Sequence, residues 1–583
     1  MHRKWLVNKT NPEYIKYLSK TASISPVLAQ ICINRGIKTP EEVSSFLNPN
    51  ISQLSNPFNL YGMRDTVERI KAALYKKEKI LVHGDYDVDG LSATAIIIQA
   101  LKMLGVECTY FIPHRIEHGY GFHPASIEKA KQFGASLIIT VDCGITSFET
   151  TRLCAKEGID VIITDHHEPA FKNEDGFPHL LTSRFLLPDV LTVINPKISG
   201  SQSPLSNLSG AGVALKLVQA LSTIHGSRFN IEEFLDLAAL GTIADVVTLI
   251  DENRLIVKEG LIRMGNGARL GVQALKKVAG VDEKGLKPNV LSFTLIPRMN
   301  AAGRVSDANK VVELLLTNSE DEAIQLASWL DKLNAERQQI EEEVYKEALK
   351  QLHKKEIGPV IILSAEKWHR GVIGIVASRI TEQLYRPTCI ISVEGDVSMG
   401  SARSIPSLHL YNTLAKCKGL LKRFGGHEQA AGFELETRNI DSFKALMTQT
   451  VKEVLHEKDF VPRIEIDAEV DLSEIHFGLI KEFEMLEPFG FGNQEPILGS
   501  RRLEVVFPRI VKNNHLKMKL KQRNNALEAI GFDMAVAYND LLSYNKTNET
   551  LSAKVDAVFT PIINEWEGAR YLQLKVKAIR PSI

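Results

Sequence analysis

Between Lys79 and Pro196, five short apolar runs alternate with segments of helical character. The runs are KILVHG, VECTYFIP, SLIITVDCG, DVIITDHH and LTVINP; the helical segments include LSATAIIIQALKML and SFETTRLCAKEG. The runs are rich in Val, Ile and Thr and stop at Gly or polar residues. Strands that alternate with helices fold as βα units around a largely parallel sheet. In an open sheet of this kind the carboxyl ends of the strands share one edge, and ligands bind there. Chemistry is therefore to be sought in the residues just past each run.

Those residues are carboxylates and imidazoles. His83-Gly-Asp85-Tyr-Asp87-Val-Asp89-Gly90 follows KILV, Asp142 follows SLIITV, and Asp165-His166-His167 follows DVIIT. Asp245, in LAALGTIADVV, joins them only if its helix or loop folds over the same edge. Three carboxylates within five residues repel one another in a partly buried site, and a divalent cation removes that penalty. Carboxylate oxygens suit Mg2+ and Mn2+, and added imidazoles shift the preference towards Mn2+. A calcium loop would need Glu at the twelfth position from Asp85, where Ile96 stands. Taken singly, Asp-His-His reads as a polar turn and the Asp of GTIAD as a helix cap. Their recurrence after successive strands argues for a metal site.

The rest of the chain divides by pattern. Residues 1–55 are expected to pack on the core as an N-terminal segment, followed by the parallel-sheet domain over 56–318. Ser319-x-x-Glu322 resembles a capping box. Ala323, Leu326, Leu330, Leu333, Ile340, Val344 and Ala348 then recur at helical spacing, with Arg337 interrupting the stripe. This predicts a long connecting helix over 319–356. A smaller α/β domain is expected over 357–458. A β-rich part over 459–583 alternates Leu516, Met518 and Leu520 with Lys517, Lys519 and Lys521, as in a small barrel with lysines outside. Six scattered cysteines without a CxxC pair exclude a zinc knuckle or disulfide framework, and the start has no apolar leader. With no run of transmembrane length, the expectation is a cytoplasmic protein away from membranes. A formal net charge of zero leaves any nucleic-acid surface to local clusters.

A first motif of the DxD type, an isolated Asp, Asp-His-His and a final Asp resemble the DHH phosphoesterase superfamily. IPHRIEHGYG (112–121), LSGAGVALKL (208–217), PRMNAAGR (297–304), WHRGVIGIVASRI (368–380), GSARSI (400–405), FGGHEQAAGF (424–433) and LEPFGFGNQEP (486–496) are similar to its RecJ branch. The resemblance covers nearly the whole chain in the same motif order. It implies an α/β DHH domain joined by the long helix to a DHHA1 domain, followed by a barrel of the oligonucleotide-binding (OB) type. It also implies two divalent ions, Mn2+ or Mg2+, held by Asp87, Asp89, Asp142, His166 and Asp245, with Asp142 bridging. A further ligand is His83 or Asp85. His167 is implied to lie beside the scissile phosphate or the leaving oxygen, so Asp142, His166 and His167 form the expected catalytic set.

The implied activity is 5′→3′ exonucleolytic hydrolysis of single-stranded DNA to 5′-mononucleotides, in repair and recombination. The enzyme is expected to act as a monomer, with a helicase and a single-strand-binding protein as partners. Arg298, Asn300 and Arg304 are candidates for the phosphates, since guanidinium forks match phosphate oxygens. Arg370, Arg379, Arg403 and His427 beside glycine-rich turns are candidates to grip the strand near its 5′ end. Lys517 and Lys519 are candidates on the barrel. One competing reading is a DHH phosphodiesterase of short oligonucleotides or cyclic dinucleotides, whose members lack the part after Phe460. Another is a non-catalytic single-strand-binding scaffold, which would have lost the metal ligands that this chain keeps.

Overall fold

The expected parallel sheet is present in a computed structural model of the chain. It describes residues 3–115, 117–119, 121–171, 185–198, 204–225, 230–267, 269–281, 286–353, 356–512, 514–539, 541, 554–566 and 568–582. The chain forms two units, Leu54–Pro462 and His2–Gln53 with Arg463–Ile583.

In the first unit, five parallel strands lie in the order Cys108–Phe111, Lys79–His83, Ala135–Val141, Asp160–Thr164 and Thr192–Ile194. The chain order reverses beside Lys79–His83, and such a switch point opens a crevice at the carboxyl ends. Helix Val88–Met103 reads apolar on every face, so it has to be covered all round. It packs against the sheet and against helices Gly210–His225 and Leu235–Ala244, which cap the carboxyl edge.

Helix Glu320–Leu352 runs 33 residues. Only half of the expected capping box forms. The Ser319 hydroxyl accepts from Glu322 N at 3.3 Å, but the Glu322 carboxylate accepts from the Thr317 hydroxyl instead of reaching back to Ser319. Arg337, the polar interruption of the stripe, is buried and donates to Glu341 and to Asn334. The helix packs on Leu270–Val278 and Leu295–Val305 near one end. Near the other, Val344 and Ala348 join the core of the next domain. That domain carries a five-stranded mixed sheet in the order 421–426, 430–436, 397–403, 388–394 and 361–366.

In the second unit, strands Leu498–Val511, His515–Gln522, Asn525–Gly531, Ala569–Pro581 and Lys554–Trp566 close into a barrel, the last pairing back on the first. Leu516, Met518 and Leu520 are buried, and Lys517, Lys519 and Lys521 point outward. Residues 1–55 were expected to pack on the core as an N-terminal segment, and the core that their helices join is that of the barrel unit. Helices Pro12–Ala22, Pro26–Asn34 and Pro40–Leu47 each have an apolar face, and the barrel unit covers it. Leu18, Leu28 and Ile31 share a hydrophobic cluster with Leu479, Phe483, Leu516 and Phe559.

The segment Leu486–Pro496 is a structural knot. Buried Asn493 donates to the carbonyls of Leu486 and Pro488, both at 2.8 Å, and accepts from Arg35, which also donates to Gln494 O at 2.6 Å. Phe489 packs on the core while Phe491 projects from the turn, 57 % exposed. Asn493→Ala would strip two buried carbonyls of their donor, at a cost of about 1–3 kcal/mol. It is expected to lower the urea midpoint of this unit, and an unchanged midpoint would show the knot to be dispensable.

Candidate metal centre

The strand ends are brought level by hydrogen bonds that extend the ladder one residue past each strand. Gly84 N donates to Phe111 O, Asp142 N to Thr164 O, and Asp165 N to Ile194 O, at 3.0–3.1 Å. Asp142 pays for its position with a left-handed backbone, φ 62°, unusual for a residue with a Cβ. Asp87 caps helix Val88–Met103, its Oδ1 accepting from Asp89 N and Gly90 N. Asp89 in turn accepts from Gly210 N at 2.6 Å and Ala211 N at 2.9 Å, at the start of the next helix. Asp245 ends helix Leu235–Ala244 over the same edge. The covering helices approach through glycine: a Cβ at Gly210 would lie 2.5 Å from Asp142 Oδ1, and one at Gly241 would lie 2.3 Å from Asp89 Oδ1.

The result is three overlapping donor sets, of which Asp142, His166 and His167 form the one that links the other two. Asp85, Asp87 and Asp142 each place a carboxylate oxygen within 4.8 Å of the others; Asp89, His166 and Asp245 do the same. His166 Nε2 lies 3.0 Å from Asp142 Oδ1, 3.6 Å from Asp245 and 3.7 Å from Asp89. Yet His166 Nε2, Asp142 Oδ1 and Asp85 Oδ1 are buried without a hydrogen-bond partner. Donor atoms that converge without bonding one another fit a divalent cation, and an oxygen-rich set with one imidazole suits Mn2+ or Mg2+.

Of the two residues left open in the first motif, Asp85 joins a donor set and His83 does not. The His83 imidazole is wholly buried between Phe111 and Phe122, its Nε2 3.3 Å from Gly121 O. Burial pulls it down to about 3, so it is neutral.

His167 differs from His166 in kind. Its Nδ1–H donates to Asp165 Oδ1 at 2.7 Å, and Asp165 also accepts from the backbone of Ile145, His166 and His167. Against its burial, Asp165 raises the ring to about 9, so His167 is a cation at neutral pH. Buried Asn195 pins the His167 carbonyl at 2.9 Å. Asp165 and Asn195 were not singled out as site residues. Both stand just past a strand, a signal the sequence does carry.

The arginines divide into two groups. Arg298 pairs with Asp331 at 2.8 Å, Arg370 pairs with Glu394, and Arg379 pairs with Glu341 and Glu342 at 3.1 and 3.0 Å. These three, expected at phosphates, are instead held by carboxylates. Arg304 and Arg403 are half-buried, and the bonds they donate go to Gly371 O and to Ser401 Oγ and Ala402 O. Burial first, and then neighbouring guanidinium groups including Arg115, pull Arg304 down to about 9 and Arg403 to about 10. Arg115, which sequence reasoning passed over, lies on the Tyr86 ring 5.2 Å from its centre. Asn300 accepts from Val88 N at 3.1 Å and so steadies the first motif rather than facing outward. His427 stacks towards His167, ring centres 6.0 Å apart. On the barrel, Lys519 pairs with Glu528 at 3.1 Å.

A parallel sheet with this donor set at its carboxyl edge, followed by a second α/β lobe, defines a metal-dependent phosphoesterase of the DHH class. The model of the DHH family N-terminal domain matches residues 79–242, that of the DHHA1 domain 337–453, and that of the RecJ OB domain 466–578. The single-stranded-DNA-specific exonuclease RecJ of Bacillus subtilis is 34% identical over 98% of this chain and 70% of its own length. That of Haemophilus influenzae is 33% identical over 97% of this chain and 98% of its own. The crystal structure of RecJ in complex with Mn2+ from Thermus thermophilus matches with a TM-score of 0.82 and 29% identity, covering 99% of this chain and 79% of that one. The chain belongs to the RecJ family.

In the metal-free protein, burial and then neighbouring carboxylates, Asp87 foremost for Asp89 and Asp89 for Asp245, push Asp89 up to about 7 and Asp245 up to about 8. An acid raised above its usual value of about 4 favours the fold while protonated, and that contribution drains away as pH climbs through the raised value. Asp245→Asn is therefore expected to raise the metal-free Tm, relative to the unaltered chain, progressively between about pH 5 and about pH 8. Mn2+ should reverse the order. Thermal unfolding in EDTA and in Mn2+ decides it; curves that stay parallel would contradict the account.

Proposed function

We propose that the chain is a single-stranded-DNA-specific 5′→3′ exonuclease that releases 5′-mononucleotides by metal-dependent phosphodiester hydrolysis, in DNA repair and recombination. One observation carries the reading: Asp142 stands in one donor set and touches the histidine of the other. Asp85, Asp87 and Asp142 would hold one ion, and Asp89, His166 and Asp245 the second, with Asp142 shared. Divalent ions held there would supply an acidified water and neutralise charge on the attacked phosphate.

The chain's own residues do the rest. His167, cationic and aimed by Asp165, presents its Nε2 proton to a phosphate oxygen or to the departing 3′-oxygen. His427, which burial pulls below the usual imidazole range, stacks as a neutral ring against it and contributes a polar edge. Arg304, Arg403 and Arg115 form a cationic group for the 5′-terminal phosphate, since among the described residues none of them is recorded in an ion pair. Lys517, also without a recorded pair among the described residues, extends the grip on the barrel, where Lys519 is partly neutralised by Glu528.

Every donor comes from one chain, so a monomer suffices. A strand has to be unwound before it is degraded, which makes a helicase and a single-strand-binding protein the fitting partners. Six free cysteines suit the reducing cytoplasm.

Asp142→Ala is expected to abolish Mn2+-dependent release of mononucleotides from strands labelled at either end. Asp165→Asn keeps the donor sets but loosens His167, and kcat should fall by about 10²-fold or more. Full activity in either variant would sink this mechanism.

A further inference from the structure

The edge strand Thr192–Ile194 ends level with the metal centre, Asp165 N donating to Ile194 O at 3.0 Å, and delivers Asn195 and Lys197 to that edge. Buried Asn195 joins two neighbours. Its side-chain amide donates to His167 O at 2.9 Å, and its Oδ1 accepts from Lys197 N at 2.9 Å. Lys197 is thereby tied through one side chain to the residue that carries the imidazolium of the site. A second tie runs through Glu168, next in sequence to His167, whose carboxylate accepts from Lys197 Nζ at 2.6 Å. The lysine side chain is 31 % exposed and that of the glutamate 57 %, and a pair so open to water holds weakly. Lys197 can therefore exchange Glu168 for another anion at little cost.

The place of this charge suggests which anion. After burial and His167, Lys197 is among the charges that lower His166 and His427, and it works against the burial and the carboxylates that raise Asp245. It stands beside the donor set of Asp89, His166 and Asp245. The arginines bear on the other set, the Arg115 charge on Asp85 and the Asp87 charge on Arg304. Cations thus flank the centre at both ends. A strand held by its 5′-terminal phosphate at the arginines, with its second phosphate at the metal centre, continues past the donor set where Lys197 stands. Lysine suits that position, since a compact charge on a flexible stem follows a phosphate without reading the base. We propose that Lys197 binds the phosphate on the 3′ side of the scissile one, a role that rests on the exonuclease reading with the arginines at the 5′ end. Glu168 holds the ammonium beside His167 until that phosphate takes its place. A dinucleotide lacks this phosphate, so the contact favours longer strands as substrates.

Binding of a 5′-phosphorylated oligo(dA) strand to the full chain in EDTA, followed by fluorescence anisotropy, reads the contact without turnover. Lys197→Gln should flatten the plot of log Kd against log salt concentration by about 0.7, one phosphate's share on a single strand. Lys197→Arg keeps a charge and should keep the slope. A side chain with a structural part only would leave the slope of both variants alone. In Mn2+, pdApdApdA carries the phosphate in question and pdApdA does not. The unaltered chain should show a KM for cleavage of the first bond about tenfold lower for the trinucleotide, and Lys197→Gln should erase that ratio. Either readout unmoved in Lys197→Gln, or a slope lost equally in Lys197→Arg, overturns the proposal. Failure of the unaltered chain to cut any strand would sink the exonuclease reading instead, an outcome told apart because the slope is read without turnover.

Discussion

Mutual repulsion among five carboxylates at one strand edge is the constraint around which this structure is arranged. Asp85, Asp87, Asp89, Asp142 and Asp245 approach one another, and burial already disfavours the charge of Asp85, Asp89, Asp142 and Asp245. The fold does little to relieve this by itself. Two backbone amides reach Asp87 and two reach Asp89, while the imidazolium of His167 is turned to Asp165. The covering helices come in through Gly210 and Gly241 so closely that no side chain would fit between them and the acids. Such a site is assembled for a guest of high positive charge; without one, Asp85, Asp89, Asp142 and Asp245 hold their protons more tightly than an ordinary carboxyl.

The same electrostatic logic sorts the cations. Arg298, Arg370 and Arg379 each lie against a carboxylate and are neutralised where they stand. Arg304 and Arg403 donate to carbonyls and a hydroxyl, and burial, then the neighbouring charge of Arg115, depresses both. A guanidinium group kept in that state lowers its energy by meeting a phosphate. In a motif such as PRMNAAGR the two kinds look alike. What separates Arg298 from Arg304 is Asp331, more than thirty residues away on another helix.

This marks where the sequence was legible and where it was not. Strand ends were readable because period and composition place them, and the parallel sheet then carries Asp87, Asp142 and His166 to one edge without further information. The outward lysines at 517, 519 and 521 followed from strict alternation. Ion-pair partners across elements, and the surface that buries a short amphipathic helix, depend on tertiary packing that no local pattern encodes. Neither the core that the N-terminal helices join nor the carboxylates that hold Arg298, Arg370 and Arg379 could therefore be read from the sequence. His83 stood undecided with Asp85 for the same reason: one ends the strand and the other lies two residues past it, and packing puts His83 among Phe111 and Phe122 and Asp85 among carboxylates.

Bringing Arg304 of one lobe against the backbone of the other demands that the lobes meet without a gap. Here the contact is backbone on backbone: a Cβ at Gly371 would stand 2.4 Å from Arg304 O, while the Arg304 side chain donates to Gly371 O. The long helix makes that closeness affordable, since it is core to both lobes. Its first half packs on helix Leu295–Val305, which carries Arg304, and its second half supplies Val344 and Ala348 to the core beneath Trp368 and Ile373. Arg337, the polar break in its apolar stripe, is held between Asn334 and Glu341, and Glu341 also receives Arg379 from the second lobe. A residue that looked like a flaw in a hydrophobic pattern is thus part of the clamp that holds Arg304 of the first lobe against Gly371 of the second.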